Sequence, residues 1–192
     1  VREQILAIVS HDLKNPLGVV LMNASALSLR AERERDRSIA EDIRHAAERM
    51  SRIVRDLLDL ARLDAGKLKL SLEKHQASTL IGDTLALMTP LARARGMELV
   101  AAKEVDVAVS CDRARIAQVL ENLVSNAIKF SKPAPGMTIE LRVTVEGASI
   151  RFAVHDRGRG IAADDLPHVF DRYWRAAHAT AEGTGLGLSI AK

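Results

Sequence analysis

The residues His11 and Asp12 form the first of four segments whose side chains are suited to chemistry. Neutral imidazole is a nucleophile near pH 7, and a carboxylate that accepts the proton of one ring nitrogen makes the other more basic. Adjacent helical side chains do not normally face each other, so Asp12 needs favourable rotamers or a bend to fill this role. Pro16 predicts such a bend, because a proline inside a helix removes a backbone hydrogen bond. An ordinary solvated histidine is the alternative interpretation.

The second segment carries two amides and an ammonium group. Asn122, Asn126 and Lys129 follow one another at steps of four and three residues, so they share one face of a predicted helix. Amide oxygens are suitable ligands for Mg²⁺, and a lysine beside them offers a point charge to a phosphate. The pattern therefore predicts a nucleotide-binding face. A plain solvated face is the alternative, although asparagine is a poor helix former.

Two glycine-rich segments follow. Asp156 comes directly after a predicted strand, and its carboxylate can accept a hydrogen bond from an exocyclic amine, while Gly158 and Gly160 let the backbone approach a flat base. Taken alone, this pattern is common in plain turns. Residues 183–187 open a predicted helix, whose free N–H groups favour phosphate oxygens, although the spacing is not that of a Walker A loop. Between them, residues 170–175 are rich in aromatics and arginines, which indicates either a mobile lid or buried loop anchors.

The first two predicted helices must present His11. In the first, the apolar residues from Ile5 to Leu27 recur at helical spacing, and His11 lies nearly opposite this stripe. Residues 31–37 make a polar turn. In the second helix, the residues from Ile39 to Leu60 alternate steps of four and three, which is a heptad pattern. Two such helices bury too little surface alone, so we expect a homodimer that forms a four-helix bundle.

A second domain begins after Gly66. Residues 67–72 alternate with period two and predict a strand. Further elements are predicted as a helix over 78–95, strands over 97–102 and 107–110, a helix capped by Asp112 that runs to Phe130, strands over 137–146 and 149–155, and a last helix from Leu186. We therefore expect an α+β protein: a helical hairpin over residues 1–66 and an α/β sandwich with a mixed sheet over 67–192.

Composition excludes several classes of protein. Apolar residues make up 47% of the chain, enough for two small cores, and the net charge is only +3 with 3% aromatics, so nucleic acid is not the indicated partner. The single cysteine, Cys111, excludes an internal disulfide and fits a reducing compartment. No run approaches the roughly 20 apolar residues of a membrane span. We expect a cytoplasmic protein, attached to a membrane only through regions absent from this chain. The helical periodicity of its first residues predicts that the chain begins inside a helix of a longer protein.

These segments, in this order and spacing, resemble the H, N, G1, F and G2 boxes of the sensor histidine kinases of bacterial two-component systems. The resemblance spans nearly the whole chain and implies that His11 accepts the phosphoryl group, Asp12 acts as its base or orienter, and Asn15 positions water for dephosphorylation of the partner. It also implies binding of ATP, with Mg²⁺ held by Asn126. The implied nucleotide-binding positions are Asn122, Asn126, Lys129, Phe130, Asp156, Gly158, Gly160, Ile161, Phe170, Gly183, Thr184, Gly185, Leu186 and Gly187.

The resemblance implies an autokinase that passes its phosphoryl group to the aspartate of a response regulator receiver domain. Kinases of this family continue past the G2 box, so we expect the ATP-binding domain to be C-terminally incomplete. One rival is an ATP-hydrolysing clamp of the Hsp90 and MutL type, which shares the later boxes but has no need of the histidine segment. The other is a dimeric scaffold or pseudokinase that binds nucleotide without transfer.

Overall fold

A computed structural model of the chain describes residues 2–102, 107–132, 134, 136–175 and 185–192, and for residues 2–12, 14 and 64 it describes the backbone alone. The chain divides into two compact units, Val1–Leu68 and Lys69–Lys192. None of the described helices combines the length and apolar character that crossing a membrane requires.

The first unit is an antiparallel helical hairpin. Helix α1 spans Arg2–Arg30, with Pro16 inside it, and α2 spans Glu34–Asp64. The turn is shorter than the predicted turn over 31–37, because α2 already begins at Glu34, where Glu34 and Asp36 in its first turn suit the positive end of the helix dipole. An ion pair between Arg37 and Glu34 lies on the same turn.

Small residues form the contact between the two helices. Among the side chains that the structure describes, Leu17 and Ala24 of α1 are buried seven residues apart, as are Ala40 and Ala47 of α2, and Ala31 in the turn is also buried. Small side chains let the helix backbones approach closely, and Leu60 is the one large residue of the predicted heptad seam that is buried. Leu13, Val20 and Leu27 are exposed in the single chain, as are Ile39, Ile43, Met50, Ile53 and Leu57 of the predicted heptad seam.

The second unit has two helices over two small sheets. Its helices are α3, Ala77–Ala94, and α4, Arg113–Phe130, followed by the short α5, Gly187–Ala191. Its strands are β1, Glu73–Gln76; β2, Glu98–Ala101; β3, Ala108–Cys111; β4, Thr138–Glu146; and β5, Ser149–His155. β1 pairs antiparallel with β3, while the other sheet has the order β2-β4-β5, with a parallel and an antiparallel pair. The expected α+β class and mixed sheet are confirmed.

The core of this unit lies between the helices and the β2-β4-β5 sheet. Alternate residues of β4, Ile139, Leu141 and Val143, are buried, as the period of a strand requires. They meet the buried faces of α3 and α4, which include Ile81 and Val124. One face of the sheet is thereby covered by helices, and α4 is held firmly where it can carry a site on its remaining face.

The strand predicted over residues 67–72 is wrong. These residues have no regular structure, and Leu70 and Leu72 are 53% and 61% exposed. The strand begins instead at Glu73, opposite Cys111, the last residue of β3. The next residue, Asp112, caps α4 and accepts a hydrogen bond from the Ser71 N–H (3.1 Å), so strand pairing stops where the helix begins.

Candidate functional site

Helix α4 carries the centre of the candidate site. Its start is fixed by Asp112, whose carboxylate accepts hydrogen bonds from the N–H groups of Ser71 and Arg115. These bonds favour the ionised carboxylate and lower the pKa of Asp112. The helix buries one apolar face, which leaves Asn122, Asn126 and Lys129 half-buried beside it. The predicted Asp112 cap is confirmed.

The Asn122 amide joins α4 to the start of α5. Its Nδ2 donates a hydrogen bond to the carbonyl oxygen of Gly187 at 3.1 Å. The two segments touch so closely that a Cβ on Gly187 would lie 3.3 Å from Cγ and Oδ1 of Asn122. Leu186 beside it is 1% exposed and anchors α5 to the unit. The structure thus brings Asn122, Leu186 and Gly187 together.

The Asp156 turn packs against the other end of α4. The Gly158 N–H donates a hydrogen bond to Asp156 Oδ1 at 2.7 Å, which closes a tight turn after β5. A Cβ on Gly158 would lie 2.8 Å from the Phe130 carbonyl oxygen and 2.8 Å from Asp156 Oδ1, so only glycine fits there. Gly160 has a φ of +71°, in the left-handed region that favours glycine. Ile161, which follows, is exposed.

Phe130 also has a partner that the sequence did not indicate. The Arg159 guanidinium carbon lies 5.3 Å from the centroid of the Phe130 ring, within the range of a cation–π contact. Arg159 stands inside the Asp156 motif but had no predicted role, because a contact across 29 positions leaves no local pattern. Phe130 itself is 37% exposed, which leaves part of its surface open to a ligand.

A backbone pair joins the aromatic segment to the last glycines. The Tyr173 N–H donates a hydrogen bond to the Gly185 carbonyl at 3.0 Å. Tyr173 has a φ of +61°, which is rare for a residue with a side chain, and Gly185 has a φ of +71°. A Cβ on Gly185 would lie 2.7 Å from the Tyr173 carbonyl carbon. Phe170 is exposed and Trp174 half-buried, while the predicted positions Gly183 and Thr184 lie outside the described residues.

The histidine segment lies in the first unit. His11, Asp12 and Asn15 all fall within α1, which continues through Pro16. Asn15 is exposed. The side chains of His11 and Asp12 lie outside the described part of the chain, so their contact stays a prediction.

Helix α4 contacts two of the predicted segments, the start of α5 at Asn122 and the Asp156 turn at Phe130. These two contacts connect the half-buried face of α4, which carries the predicted amides, with the glycine-rich segments that follow it in the sequence. Amide oxygens suit Mg²⁺, and the predicted ligand Asn126 lies on this half-buried face. A separate groove of about 420 Å³ between α4 and the β4–β5 hairpin is lined by none of these residues.

Two family models match the chain, and they do so in consecutive stretches. The model described as His Kinase A (phospho-acceptor) domain matches residues 1–66. The model described as Histidine kinase-, DNA gyrase B-, and HSP90-like ATPase matches residues 111–192. Together they take in the helical hairpin with His11 and the part of the second unit that carries α4, the Asp156 turn and α5.

Curated relatives match the whole chain. It is 33% identical to the sensor protein GacS of Pseudomonas syringae pv. syringae, over 100% of this chain and 22% of that protein. It is likewise 33% identical to the sensor-like histidine kinase SenX3 of Mycobacterium tuberculosis, over 100% of this chain and 47% of that protein. The chain thus spans less than half the length of these curated relatives.

Solved structures share the fold. Full-length ShkA in complex with AMPPNP matches with a TM-score of 0.76 and 30% identity, over 97% of this chain and 39% of that one. The histidine kinase AdeS of Acinetobacter baumannii matches with a TM-score of 0.61 and 24% identity, over 94% of this chain and 83% of that one, which supports the fold alone. With both family models matched in one chain and sensor histidine kinases similar to it over its whole length, the chain belongs to the family of sensor histidine kinases of bacterial two-component systems.

Proposed function

We propose that this chain is the catalytic core of an autokinase that transfers the γ-phosphoryl group of ATP to His11. The observation that carries the proposal is that a phospho-acceptor segment and an ATPase-like unit occur in the same chain. A phospho-acceptor family match covers His11, and an ATPase family match covers the segment in which α4 contacts both the start of α5 and the Asp156 turn. A solved relative of the same fold, ShkA, is described in complex with AMPPNP, an ATP analogue.

The nucleotide is held by groups that suit its parts. Asp156 uses Oδ1 to accept the Gly158 N–H, which leaves Oδ2 for the exocyclic amine of adenine. Phe130 lies beside the base, Lys129 and Asn122 are near the phosphates, and Asn126 holds Mg²⁺. When bound, Mg²⁺ offsets negative charge on the phosphates. The remaining predicted positions, Gly160, Ile161, Phe170, Gly183, Thr184, Gly185, Leu186 and Gly187, shape the pocket and the segment that covers it.

The transfer step is an in-line displacement. The lone pair of one His11 ring nitrogen forms a bond to the γ-phosphorus while the bond from that phosphorus to the β–γ bridging oxygen breaks, and ADP leaves with that electron pair. Asp12 accepts the proton from the other ring nitrogen, so phosphohistidine is left neutral at the ring. A receiver-domain aspartate of a response regulator then takes the phosphoryl group, and Asn15 positions water when the partner is dephosphorylated.

The proposed organisation divides the work between two domains. Residues 1–66 dimerise and carry the phosphoacceptor, and residues 67–192 bind ATP. The exposed apolar seam of α2, at Ile39, Ile43, Met50, Ile53 and Leu57, supports a homodimer, because burying such a seam on a second copy removes apolar surface from water. We place the protein in the cytoplasm, as the intracellular part of a sensor.

Radiolabelled phosphate transfer tests the proposal directly. The purified protein is incubated with Mg²⁺ and ATP labelled at the γ-position, and we expect a protein-bound label that is lost in acid and stable in alkali. His11→Ala should abolish the label. His45→Ala is the matched control, since His45 is another histidine of the same unit, exposed on α2, and its loss should leave labelling unchanged.

Two outcomes would count against the proposal. An acid-labile label that survives His11→Ala would assign the phosphoacceptor elsewhere. Tight binding of MgATP by a wild-type protein that never yields phosphohistidine would favour the scaffold or pseudokinase instead.

A further inference from the structure

The turn that carries Asp156 contacts Phe130 at two points. The first contact is through the backbone: Gly158 packs against the Phe130 carbonyl so closely that a Cβ on Gly158 would lie 2.8 Å from the carbonyl oxygen. The second is through a side chain, because the Arg159 guanidinium carbon lies 5.3 Å from the centroid of the Phe130 ring. Both contacts hold the same turn against the C-terminal end of α4.

The contact of the Arg159 side chain is important because both neighbours of Arg159 in the chain are glycines. Gly158 and Gly160 flank Arg159, and Gly160 adopts a left-handed φ of +71°. Glycine has the largest backbone freedom of any residue, so a turn built on two of them holds its shape poorly by itself. Arg159 is the one residue between them with a side chain, and that side chain lies over the ring.

The position of the Asp156 carboxylate depends on this turn. The Gly158 N–H holds Oδ1 at 2.7 Å, so the direction of Oδ2 follows wherever Gly158 and Arg159 are held. A hydrogen bond to an exocyclic amine is sensitive to such placement, because its strength falls steeply as the angle departs from linear. A contact between Arg159 and Phe130 therefore sets how well the carboxylate meets a base lying beside that ring.

We propose that Arg159 is a positioning residue for the base of the nucleotide: by lying over Phe130 it holds the Asp156 turn against α4 and thereby raises the affinity and selectivity for adenine. The inference rests on the proposed function, because it takes the bound base to be the adenine of ATP. It adds a residue whose side chain acts through Phe130 and Asp156 rather than on the phosphates.

The test compares nucleotide binding among three variants of the full chain. MgATP and MgGTP each displace a fluorescent ATP analogue from the protein, which gives a dissociation constant for each. Arg159→Met keeps a long side chain but removes the charge, and Arg159→Lys keeps the charge. Arg157→Met is the matched control, because it removes the same charge from an exposed residue two positions away in the same motif.

The expected effect has the size of a cation–π contact near solvent. Arg159→Met should weaken MgATP binding about two- to fivefold and leave MgGTP binding unchanged, and Arg159→Lys should restore most of the loss. Arg157→Met should bind both nucleotides as wild type does. In a Phe130→Leu background, Arg159→Met should have no further effect, since the partner of the guanidinium is gone.

Three results would overturn the inference while leaving the proposed function intact. The first is a MgATP affinity in Arg159→Met equal to that of wild type. The second is an equal loss of MgATP and MgGTP affinity in Arg159→Met, and the third is an equal loss of MgATP affinity in Arg157→Met. The second and third results would indicate that net charge alone attracts the triphosphate. A wild-type protein that binds neither nucleotide would instead overturn the proposed function, and this inference with it.

Discussion

Nδ2 of Asn122 donates a hydrogen bond to the carbonyl oxygen of Gly187 at 3.1 Å, across 65 positions of the chain. This bond ties the polar face of α4 to the first turn of α5. It also fixes the amide, so that the asparagine predicted to serve the nucleotide has a structural partner as well. The predicted nucleotide-binding face of α4 and the last helix are therefore coupled through this bond.

Asn122→Asp should destabilise the second unit. The substitution replaces the donor by a carboxylate oxygen, which faces the Gly187 carbonyl without a proton between them. Leaving a partly buried acceptor unpaired costs about 1–3 kcal/mol. Urea unfolding followed by circular dichroism measures the change. Asn23→Asp, at an exposed position of α1, is the control and should have little effect. Equal stability of the two variants would show that the Asn122 bond contributes nothing.

Gly185→Ala tests the link between the aromatic segment and α5. A Cβ at this position would lie 2.7 Å and 2.8 Å from backbone carbons of Tyr173, and the φ of Gly185 is +71°. Gly147→Ala is the matched control, because Gly147 has a φ of +61° and nothing within 4 Å of such a Cβ. The control should lose about 1–2 kcal/mol from the left-handed backbone alone.

We expect Gly185→Ala to lose at least twice as much stability as Gly147→Ala, because the backbone of Tyr173 must move as well as the glycine. Thermal unfolding of both variants, with and without MgATP, measures the difference. MgATP should stabilise the control as it does wild type and should stabilise Gly185→Ala less. Equal losses in the two variants would mean that the Tyr173 contact is easily relaxed.

Local patterns in the sequence predict most elements of the second unit. The helix expected over 78–95 is found at Ala77–Ala94, and the strand expected over 149–155 is found at Ser149–His155. Both end at local signals, such as Gly96 with its φ of +68°, that act within a few residues. Periodicity and capping are sufficient for elements of this kind.

The failures have a different physical origin. Alternation over 67–72 indicated a strand, yet a strand needs a partner, and the partner β3 ends at Cys111 where Asp112 begins α4. The pairing of Tyr173 with Gly185 and the contact of Arg159 with Phe130 also depend on the folded arrangement. The sequence could therefore predict which segments bear the site, but it could not predict which side chains hold them in place.

Ile53→Glu tests the proposed homodimer. Ile53 lies on the exposed apolar seam of α2 and is 37% exposed in the single chain, so a charge there is tolerated by one hairpin. In a four-helix bundle the same charge is buried without a partner, and dimerisation should weaken at least about tenfold. Sedimentation equilibrium measures the dissociation constant, and circular dichroism checks that helix content is retained.

Ser38→Glu is the control for the seam, because it introduces the same charge at an exposed polar position of α2 beside the seam. It should dimerise as wild type does. If Ile53→Glu dimerises equally well, the seam is not the contact between copies, and the exposed residues Leu13, Val20 and Leu27 of α1 become the next surface to test.

Asp112 should make the stability of the second unit depend on pH. Hydrogen bonds from the N–H groups of Ser71 and then Arg115 hold the pKa of this carboxylate below its ordinary value. The unfolded chain therefore takes up a proton at a higher pH than the folded one does. The stabilisation is fully present above the ordinary pKa of about 4 and is lost as pH falls through the lowered pKa.

Asp112→Asn removes the titrating group while keeping one oxygen acceptor for the helix cap. At pH 7 it should be less stable than wild type, since the charge that both N–H groups favour is gone. The difference should shrink as pH is lowered from about 5, because wild type loses the same charge by protonation. Urea midpoints at several pH values measure this convergence. Asp164→Asn, in the exposed turn before residues 166–168, is the control, and its urea midpoints should change with pH as those of wild type do. A difference that stays constant with pH would mean that the charge of Asp112 does not stabilise the start of α4, and that its cap acts through geometry alone.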